Sequence, residues 1–193
     1  GSGLQAIVSA SQSILLGDCD IAIGGGAENM SRAPYASQAT RFGARMGDTK
    51  MVDMMVGALH DPFHTIHMGV TAENVAAEHG ITREMQDALA LESHRRAEVA
   101  WAEGRFKDQI VPVMLKSRKG EVAFDKDEHF RPGAKLEDFQ KMKAVFLKEN
   151  GTVTAGNASG INDAAAAVLL MEAGAAKARG AKPLARLVGY AHA

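Results

Sequence analysis

The 193-residue sequence carries 22 Lys and Arg against 23 Asp and Glu, a formal net charge of −1, and 46% of its residues are hydrophobic. This composition is typical of a globular protein with a buried core, and the balanced charge gives no indication of a nucleic-acid or membrane-surface partner. With no signal peptide and no apolar run long enough to span a bilayer, the sequence predicts a cytoplasmic protein.

The low aromatic content of 5%, together with 20 Gly and 10 Met, favours a tightly packed α/β protein over a β-sandwich. A single cysteine excludes an internal disulfide and is typical of a reducing compartment. This residue, Cys19, lies between Asp18 and Asp20. Since these carboxylates disfavour the nucleophilic thiolate, we interpret Cys19 as structural.

The chain opens with a helical pattern from Leu4 to Leu16 that Gly17 ends, followed by a short buried strand at Ile21–Ile23. The glycine-rich run from Gly24 to Ser31 lacks the spacing of a phosphate-binding loop. We interpret it as a tight turn that carries the chain out of the sheet.

The region from Arg32 to His64 shows no sustained period, and it predicts irregular structure with one short helix near Met51–Leu59. A helix follows at Val70–His79. A longer helix begins after the N-cap residue Thr82 and continues to Glu103. Apolar spacing predicts the inner face of that long helix and leaves His94, Arg95 and Arg96 on its solvated side; the inner-face residues are Met85, Ala88, Leu89, Ala97, Ala100 and Trp101.

Two short segments, Ile110–Val113 and Val122–Phe124, predict a pair of strands, with Pro112 indicating an edge position. The acidic residues that follow at 125–128 lack the glycine and the distal glutamate of a calcium loop, so no metal site is predicted. A short helix is predicted at Leu136–Met142. The lysines and arginines around it are either a solvated face or a site for a polyphosphate.

A dense run of small and polar residues extends from Thr152 to Asp163. Its composition suits either a structural loop or a surface where a ligand contacts backbone. The run from Ala164 to Met171 is a helix by alanine propensity or a buried strand by its continuous apolar character. Leu184–Tyr190 then predicts a strand.

Five motifs in this order resemble the thiolases, and within them the bacterial β-ketothiolase or acetyl-CoA acetyltransferase type. They are Gly1–Ala6, Gly24–Ser31, His67–Asn74, Gly104–Lys107 and Thr152–Asp163. The resemblance implies an α/β thiolase fold whose core is interrupted by a loop domain that holds coenzyme A (CoA). Residues 1–28 would belong to the N-terminal core half and residues 29–159 to the loop domain, while residues 160–193 would return to that core half and begin the connection to the C-terminal half. It also implies that Ala164–Met171 is a strand.

Position by position, the resemblance places CoA against eight residues: Leu59, His67, Met68, Arg131, Phe146, Ala155, Ala158 and Ser159. Their chemistry agrees with that role, since apolar side chains can line a slot for pantetheine, Arg131 can meet the nucleotide and Ser159 can bond an amide. His67 is implied as a contact to bound substrate and not as the main base. Asp138 would repel phosphate, so it is left out of the site.

The resemblance implies that a nucleophilic Cys precedes Gly1 and that a second Cys and a catalytic His lie downstream, so no catalytic residue is expected within these residues. The implied reaction is Claisen condensation or thiolysis of acyl-CoA and acetyl-CoA through a Cys acyl-enzyme. No permanently bound cofactor and no metal are expected. A homotetramer is implied, with the Ser31–Met55 loop reaching between subunits. The chain alone is expected to be inactive.

Two other interpretations stay open from the sequence. The first is a non-catalytic acyl-CoA binding or scaffold module. The second is a ketosynthase that acts on carrier-protein thioesters, which is disfavoured because those enzymes lack the long insertion at Arg32–Ala158.

Overall fold

In the computed structural model, residues 1–191 are described, and they form two compact units. The first unit joins Gly1–Ala33 to the segment that begins at Ile161, and the second unit is Pro34–Gly160. His192 and Ala193, which end the predicted 160–193 segment, lie outside the described residues.

Helices and strands both occur in each unit. The helices are α1 (Ser2–Leu15), α2 (Met54–Ala58), α3 (Met68–His79), α4 (Arg83–Ala102), α5 (Leu136–Gln140) and α6 (Ala173–Ala178). The strands are β1 (Ile21–Asn29), β2 (Tyr35–Ala36), β3 (Val52–Asp53), β4 (Val113–Ser117), β5 (Gly120–Phe124) and β6 (Asp163–Met171). Short 3₁₀ turns lie at Met30–Arg32 and Ala39–Phe42.

The first unit is a two-stranded antiparallel sheet, β1 with β6, on which α1 packs. Gly17 adopts a φ of +79° just after the helix, which confirms its predicted role in ending α1. The predicted turn at Gly24–Ser31 is wrong, because β1 continues through the three glycines to Asn29. A Cβ on Gly24 would lie 2.9 Å from the Ile7 Cα of α1, so glycine here lets a helix approach a strand closely.

The alanine-rich run of residues 164–171 is a strand and not a helix, as the resemblance implied. Asp163 pairs with Asn29 at one end of β6, and Met171 pairs with Ile21 at the other. Hydrogen bonding to β1 therefore outweighs the helix propensity of alanine. The strand predicted at Leu184–Tyr190 is wrong: among the described residues it has no paired neighbour, and a strand needs one.

In the second unit, Thr82 caps α4 as predicted, accepting a hydrogen bond from the Met85 N–H at 3.3 Å. The predicted inner face of α4 is only partly correct. Ala100 is buried, but Met85 and Leu89 are 60% and 72% exposed, while the carboxylate residue Asp87 is fully buried. The prediction failed because α4 buries a charged residue that periodicity assigns to the solvated side.

The remaining predicted elements of this unit are present with shifted bounds. β4 and β5 pair as predicted, but β4 begins after Pro112, which has no N–H to donate to a partner strand. The short helix of the irregular region begins at Met54, because the Asp53 carboxylate caps it by accepting from the N–H groups of Met55 and Val56.

Within residues 1–191, the helices include none with both the length and the apolar character that crossing a bilayer would require.

Close packing of α1 on β1 predicts opposite effects for two glycine substitutions. Gly24→Ala should lower the free energy of unfolding by about 1–3 kcal/mol, because the new methyl group meets helix backbone that cannot move aside. In Gly3→Ala the nearest atom would be 3.9 Å away, and alanine favours the helix by up to ~1 kcal/mol. In denaturant unfolding, Gly24→Ala should therefore have a lower midpoint than the wild-type protein and Gly3→Ala a higher one. Equal midpoints for the two variants would contradict this packing.

Candidate functional site

The loop that begins the small-residue run is held by a buried carboxylate on α3. Glu73, which is 4% exposed, accepts hydrogen bonds from the Thr152 N–H at 2.9 Å, the Thr152 hydroxyl at 2.7 Å and the Val153 N–H at 2.9 Å. Burial acts to raise the pKa of Glu73, but these hydrogen bonds outweigh burial and hold the pKa below its ordinary value. Glu73 is therefore an ionised anchor for the loop at neutral pH.

A second buried carboxylate, Asp87 on α4, holds the same loop from another side. One oxygen accepts from Arg83 Nε at 2.7 Å and the other accepts from Asn157 Nδ2 at 2.9 Å. The Asn157 amide group also donates to the Thr152 carbonyl at 3.0 Å and accepts from the Thr154 N–H at 2.7 Å. The loop backbone is thus tied to α4 through a single side-chain amide.

These anchors bury one edge of the loop and expose the other. Val153 and Thr154 are buried, whereas Ala155, Ala158 and Ser159 are exposed. We call the exposed segment Ala155–Ser159 the shelf. Such an edge presents backbone groups and small side chains to anything that binds beside it.

Two cavities lie along the shelf. One, of about 470 Å³, is lined by Ala155 together with Arg131 and Asp138. The other, of about 400 Å³, is lined by Ala158 and Ser159. The residues that line both are His94, His129 and Gly156. Both volumes are within the range of small-molecule sites.

His94 contributes to both cavities, and its predicted place on a solvated helix face is wrong. Its Nδ1 accepts from the Arg131 N–H at 3.1 Å, and its ring lies 5.7 Å from that of Phe139 and 6.0 Å from that of His129. Burial, with the positive charges of His129 and Arg131, holds the pKa of His94 below its usual range. The prediction failed because the partners of His94 come from residues 129–139, far along the chain.

An aromatic cluster stands at the start of α3. The His67 ring stacks on the Phe146 ring with centroids 4.7 Å apart, and His67 Nδ1 accepts from the Gly69 N–H at 2.9 Å. A Cβ on Gly69 would lie 2.0 Å from the Phe146 ring, so only glycine allows this stack. The Met68 N–H donates to the Leu59 carbonyl at 2.8 Å, which places both residues beside the stack.

The eight residues predicted to contact CoA all lie in the second unit, and they form three groups. The first group is the aromatic cluster with Leu59 and Met68, the second is Arg131 with Ala155, and the third is Ala158 with Ser159. Asp138, which was left out of the predicted site, lines the same cavity as Arg131, and its carboxylate accepts from the Lys135 N–H at 3.2 Å.

Sequence reasoning missed the residues that hold the shelf: Glu73, Arg83, Asp87 and Asn157. Glu73, Arg83 and Asp87 lie on helices, where a polar residue is ordinarily solvated, and Asn157 lies within the small-residue run; no local pattern shows that these residues hold the loop. The described part of the chain contains no group of three or more His, Cys, Asp or Glu side chains placed to hold a metal ion.

Residues 1–174 match the family model of the thiolase N-terminal domain. The chain belongs to the thiolase family. It is 70% identical over all 193 residues to the beta-ketothiolase BktB of Cupriavidus necator, and 52% identical to an acetyl-CoA acetyltransferase of Chromobacterium violaceum. In both cases it covers 49% of the relative, so the chain spans about half the length of these curated relatives.

Solved structures agree with this family and with an α/β thiolase fold. Human mitochondrial 3-ketoacyl-CoA thiolase aligns with a TM-score of 0.91 at 43% identity, covering 98% of this chain and 48% of that one. The same enzyme in complex with CoA aligns with a TM-score of 0.86 at 41% identity over 95% of this chain and 46% of that one. An acetyl-CoA acetyltransferase of Bacillus anthracis gives a TM-score of 0.89 at 47% identity, covering 95% of this chain and 46% of that one.

Ionisation of Glu73 predicts a pH-dependent contribution to stability. Its folded-state pKa lies below the ordinary value of 4.5, so the carboxylate stabilises the fold above pH 4.5, and this contribution is lost as pH falls through the folded pKa. Glu73→Gln replaces an acceptor with a donor and should lower the free energy of unfolding at pH 7 by about 1–3 kcal/mol. The difference in free energy of unfolding between the wild-type protein and Glu73→Gln should become smaller below pH 4.5.

Glu78→Gln changes an exposed carboxylate on the same helix and is the matched control. Chemical denaturation of the three proteins between pH 7 and pH 3 measures the difference. A penalty for Glu73→Gln that is independent of pH, or one no larger than that for Glu78→Gln, would show that the loop does not depend on this charge.

Proposed function

We propose that this chain is the CoA-holding part of a 3-ketoacyl-CoA thiolase, or acetyl-CoA acetyltransferase, that condenses acyl-CoA with acetyl-CoA to 3-ketoacyl-CoA and free CoA, or carries out the reverse thiolysis, through a Cys acyl-enzyme. The observation that carries the proposal is the 70% identity, over the whole of this chain, to a protein named beta-ketothiolase.

In the proposed complex, CoA lies along the shelf. Pantetheine contacts Ala155 and Ala158 and forms a hydrogen bond with Ser159, while Arg131 contacts the nucleotide part of CoA. Leu59, Met68 and Phe146 supply the apolar slot, and His67 contacts the substrate. Support comes from the two cavities along the shelf and from the related human enzyme whose structure contains CoA. CoA is a polyanion, and Lys135 and Lys141 add positive charge near Arg131 in the sequence.

We propose that the reacting groups come from neighbouring sequence. Helix α1 has Gly1 at its N-cap and begins at Ser2. The N–H groups of a first helical turn lack intrahelical acceptors and stabilise a negative charge placed before them. A Cys preceding Gly1 would therefore be favoured as a thiolate, which attacks the acyl thioester, forms the acyl-enzyme and releases the CoA thiolate. CoA itself is a substrate here, and the proposal includes no permanently bound cofactor.

The proposal extends to a cytoplasmic homotetramer that binds neither nucleic acid nor membrane. The tetramer is supported by the exposure of large apolar side chains in the predicted intersubunit loop: Phe42 is 93% exposed, Met46 is 98% exposed and Met51 is 63% exposed. Exposed apolar surface of this kind is typical of an interface. A concentration-independent monomer in light scattering of the full-length protein would reject this assembly.

The test of the function is thiolysis of acetoacetyl-CoA by the full-length protein that contains this chain. The wild-type protein should turn over, and Phe146→Ala should raise KM for CoA by about tenfold while leaving kcat within about twofold, because a binding contact shared by ground and transition states is lost. Phe124→Ala, in the β4–β5 hairpin, is the matched control and should leave both constants unchanged.

Each alternative result has a distinct meaning. Tight CoA binding without any turnover would favour a non-catalytic binding module over an enzyme. Turnover with an unchanged KM for CoA in Phe146→Ala would show that the aromatic cluster does not bind CoA.

A further inference from the structure

We infer that Asp87 is a positioning residue for CoA: it holds the Asn157 side-chain amide on α4 and thereby fixes the shape of the shelf. This inference rests on the proposed function for its ligand, although its structural part can be measured without ligand. Asp87 lines neither cavity along the shelf and acts only through other residues.

The directions of the hydrogen bonds between Asp87 and Asn157 fix which way the amide faces. An ionised carboxylate only accepts, so the Asn157 amide must turn its NH₂ group toward Asp87. Its oxygen then faces the Thr154 N–H, and its NH₂ group also reaches the Thr152 carbonyl. In a reversed amide, the Asn157 oxygen would face the Asp87 and Thr152 oxygens, and the NH₂ group would face the Thr154 N–H. Asp87, the Thr152 carbonyl and the Thr154 N–H therefore favour the same amide orientation, and Asp87 is the partner that holds this amide on α4.

This amide is connected to the exposed edge of the loop. The bond from the Thr154 N–H to Asn157 closes a short turn, and within it the Gly156 N–H donates to the Thr154 hydroxyl at 3.2 Å. Thr154 is fully buried, so water cannot replace these partners. The exposed residues Ala155 and Ala158 and the half-buried Gly156 are consequently held in a fixed backbone conformation.

Through Arg83, Asp87 also acts on the wall of the larger cavity that Phe139 and Met142 form. Arg83, the second partner of Asp87, donates to the carbonyls of Phe139 at 2.7 Å and of Met142 at 3.0 Å. The Phe139 and Met142 side chains line the larger cavity and contact the shelf, since a Cβ on Gly156 would lie 2.7 Å from Met142 Sδ and 2.9 Å from Phe139 Cδ1. One carboxylate therefore positions both the shelf and the wall opposite it.

Burial makes this arrangement sensitive to the charge. The side chain of Asp87 is 1% exposed and that of Arg83 is 21% exposed. Asp87→Asn keeps the size of the side chain but turns one acceptor into a donor, which must face either Arg83 Nε or the Asn157 NH₂ group. Because the site is buried, one of these donors then loses its acceptor. When that donor is the Asn157 NH₂ group, the amide keeps only its bonds to the loop backbone and is no longer held on α4.

The experiment compares Asp87→Asn with Glu92→Gln in the full-length protein. Glu92 is a carboxylate on the same helix that pairs with Arg95 and Arg96 at the surface, so its substitution controls for the loss of an ion pair on α4. In Asp87→Asn, KM for CoA should rise by about tenfold with kcat within about twofold, as expected for lost positioning of a bound group. Glu92→Gln should leave both constants unchanged.

Hydrogen exchange in the ligand-free protein gives a readout that is independent of activity. Peptides covering residues 152–159 should exchange faster in Asp87→Asn than in Glu92→Gln, whereas peptides covering β4 and β5 should be unaffected. If the wild-type protein shows no thiolase activity, the proposed function fails, and faster exchange in these peptides would still support the structural part. If the wild-type protein is active but Asp87→Asn has a normal KM and normal exchange, the inference alone fails.

Asn157→Ala decides the question if Asp87→Asn does not fold, because it leaves the Asp87–Arg83 pair intact and removes only the amide. It should raise KM for CoA to a similar extent and speed exchange in residues 152–159. An unchanged KM in folded Asn157→Ala, or a lower unfolding temperature with no change in KM, would overturn the positioning role.

Discussion

Two buried carboxylates that accept hydrogen bonds from one loop are the constraint on which the candidate site depends. A loop of alanine, glycine and serine has few side chains with which to fix its own conformation. Here Glu73 and Asp87, from two different helices, supply the missing interactions from outside the loop. The small residues are then free to present backbone groups to the two cavities along the shelf.

In both units, glycine residues let neighbouring elements and side chains pack closely against the backbone. Gly24 allows α1 to approach β1, Gly69 makes room for the Phe146 ring, and Gly156 lies under Met142. In each case an added Cβ would collide with a neighbour. The predicted turn at Gly24–Ser31 was wrong for this reason: glycine composition was interpreted as chain reversal, whereas the structure uses it for packing.

Sequence reasoning predicted features whose causes are local. The cap at Thr82 and the helix end at Gly17 follow from neighbouring residues, and both are confirmed. The strand at residues 164–171 needed the family resemblance, because alanine propensity alone favours a helix. Glu73 and Asp87 were beyond local reasoning, since their loop partners lie 79 and 70 residues away along the chain. The CoA contacts of the eight predicted residues stay a prediction.

The most direct test of this account is hydrogen exchange of the full-length wild-type protein with and without CoA. If the buried carboxylates form the site in advance, peptides covering Thr152–Thr154 are already protected without ligand and change little. CoA should then slow exchange mainly along the shelf and around Arg131. Rapid exchange at Thr152–Thr154 in the free protein, with protection only when CoA binds, would contradict a preformed loop held by Glu73 and Asp87.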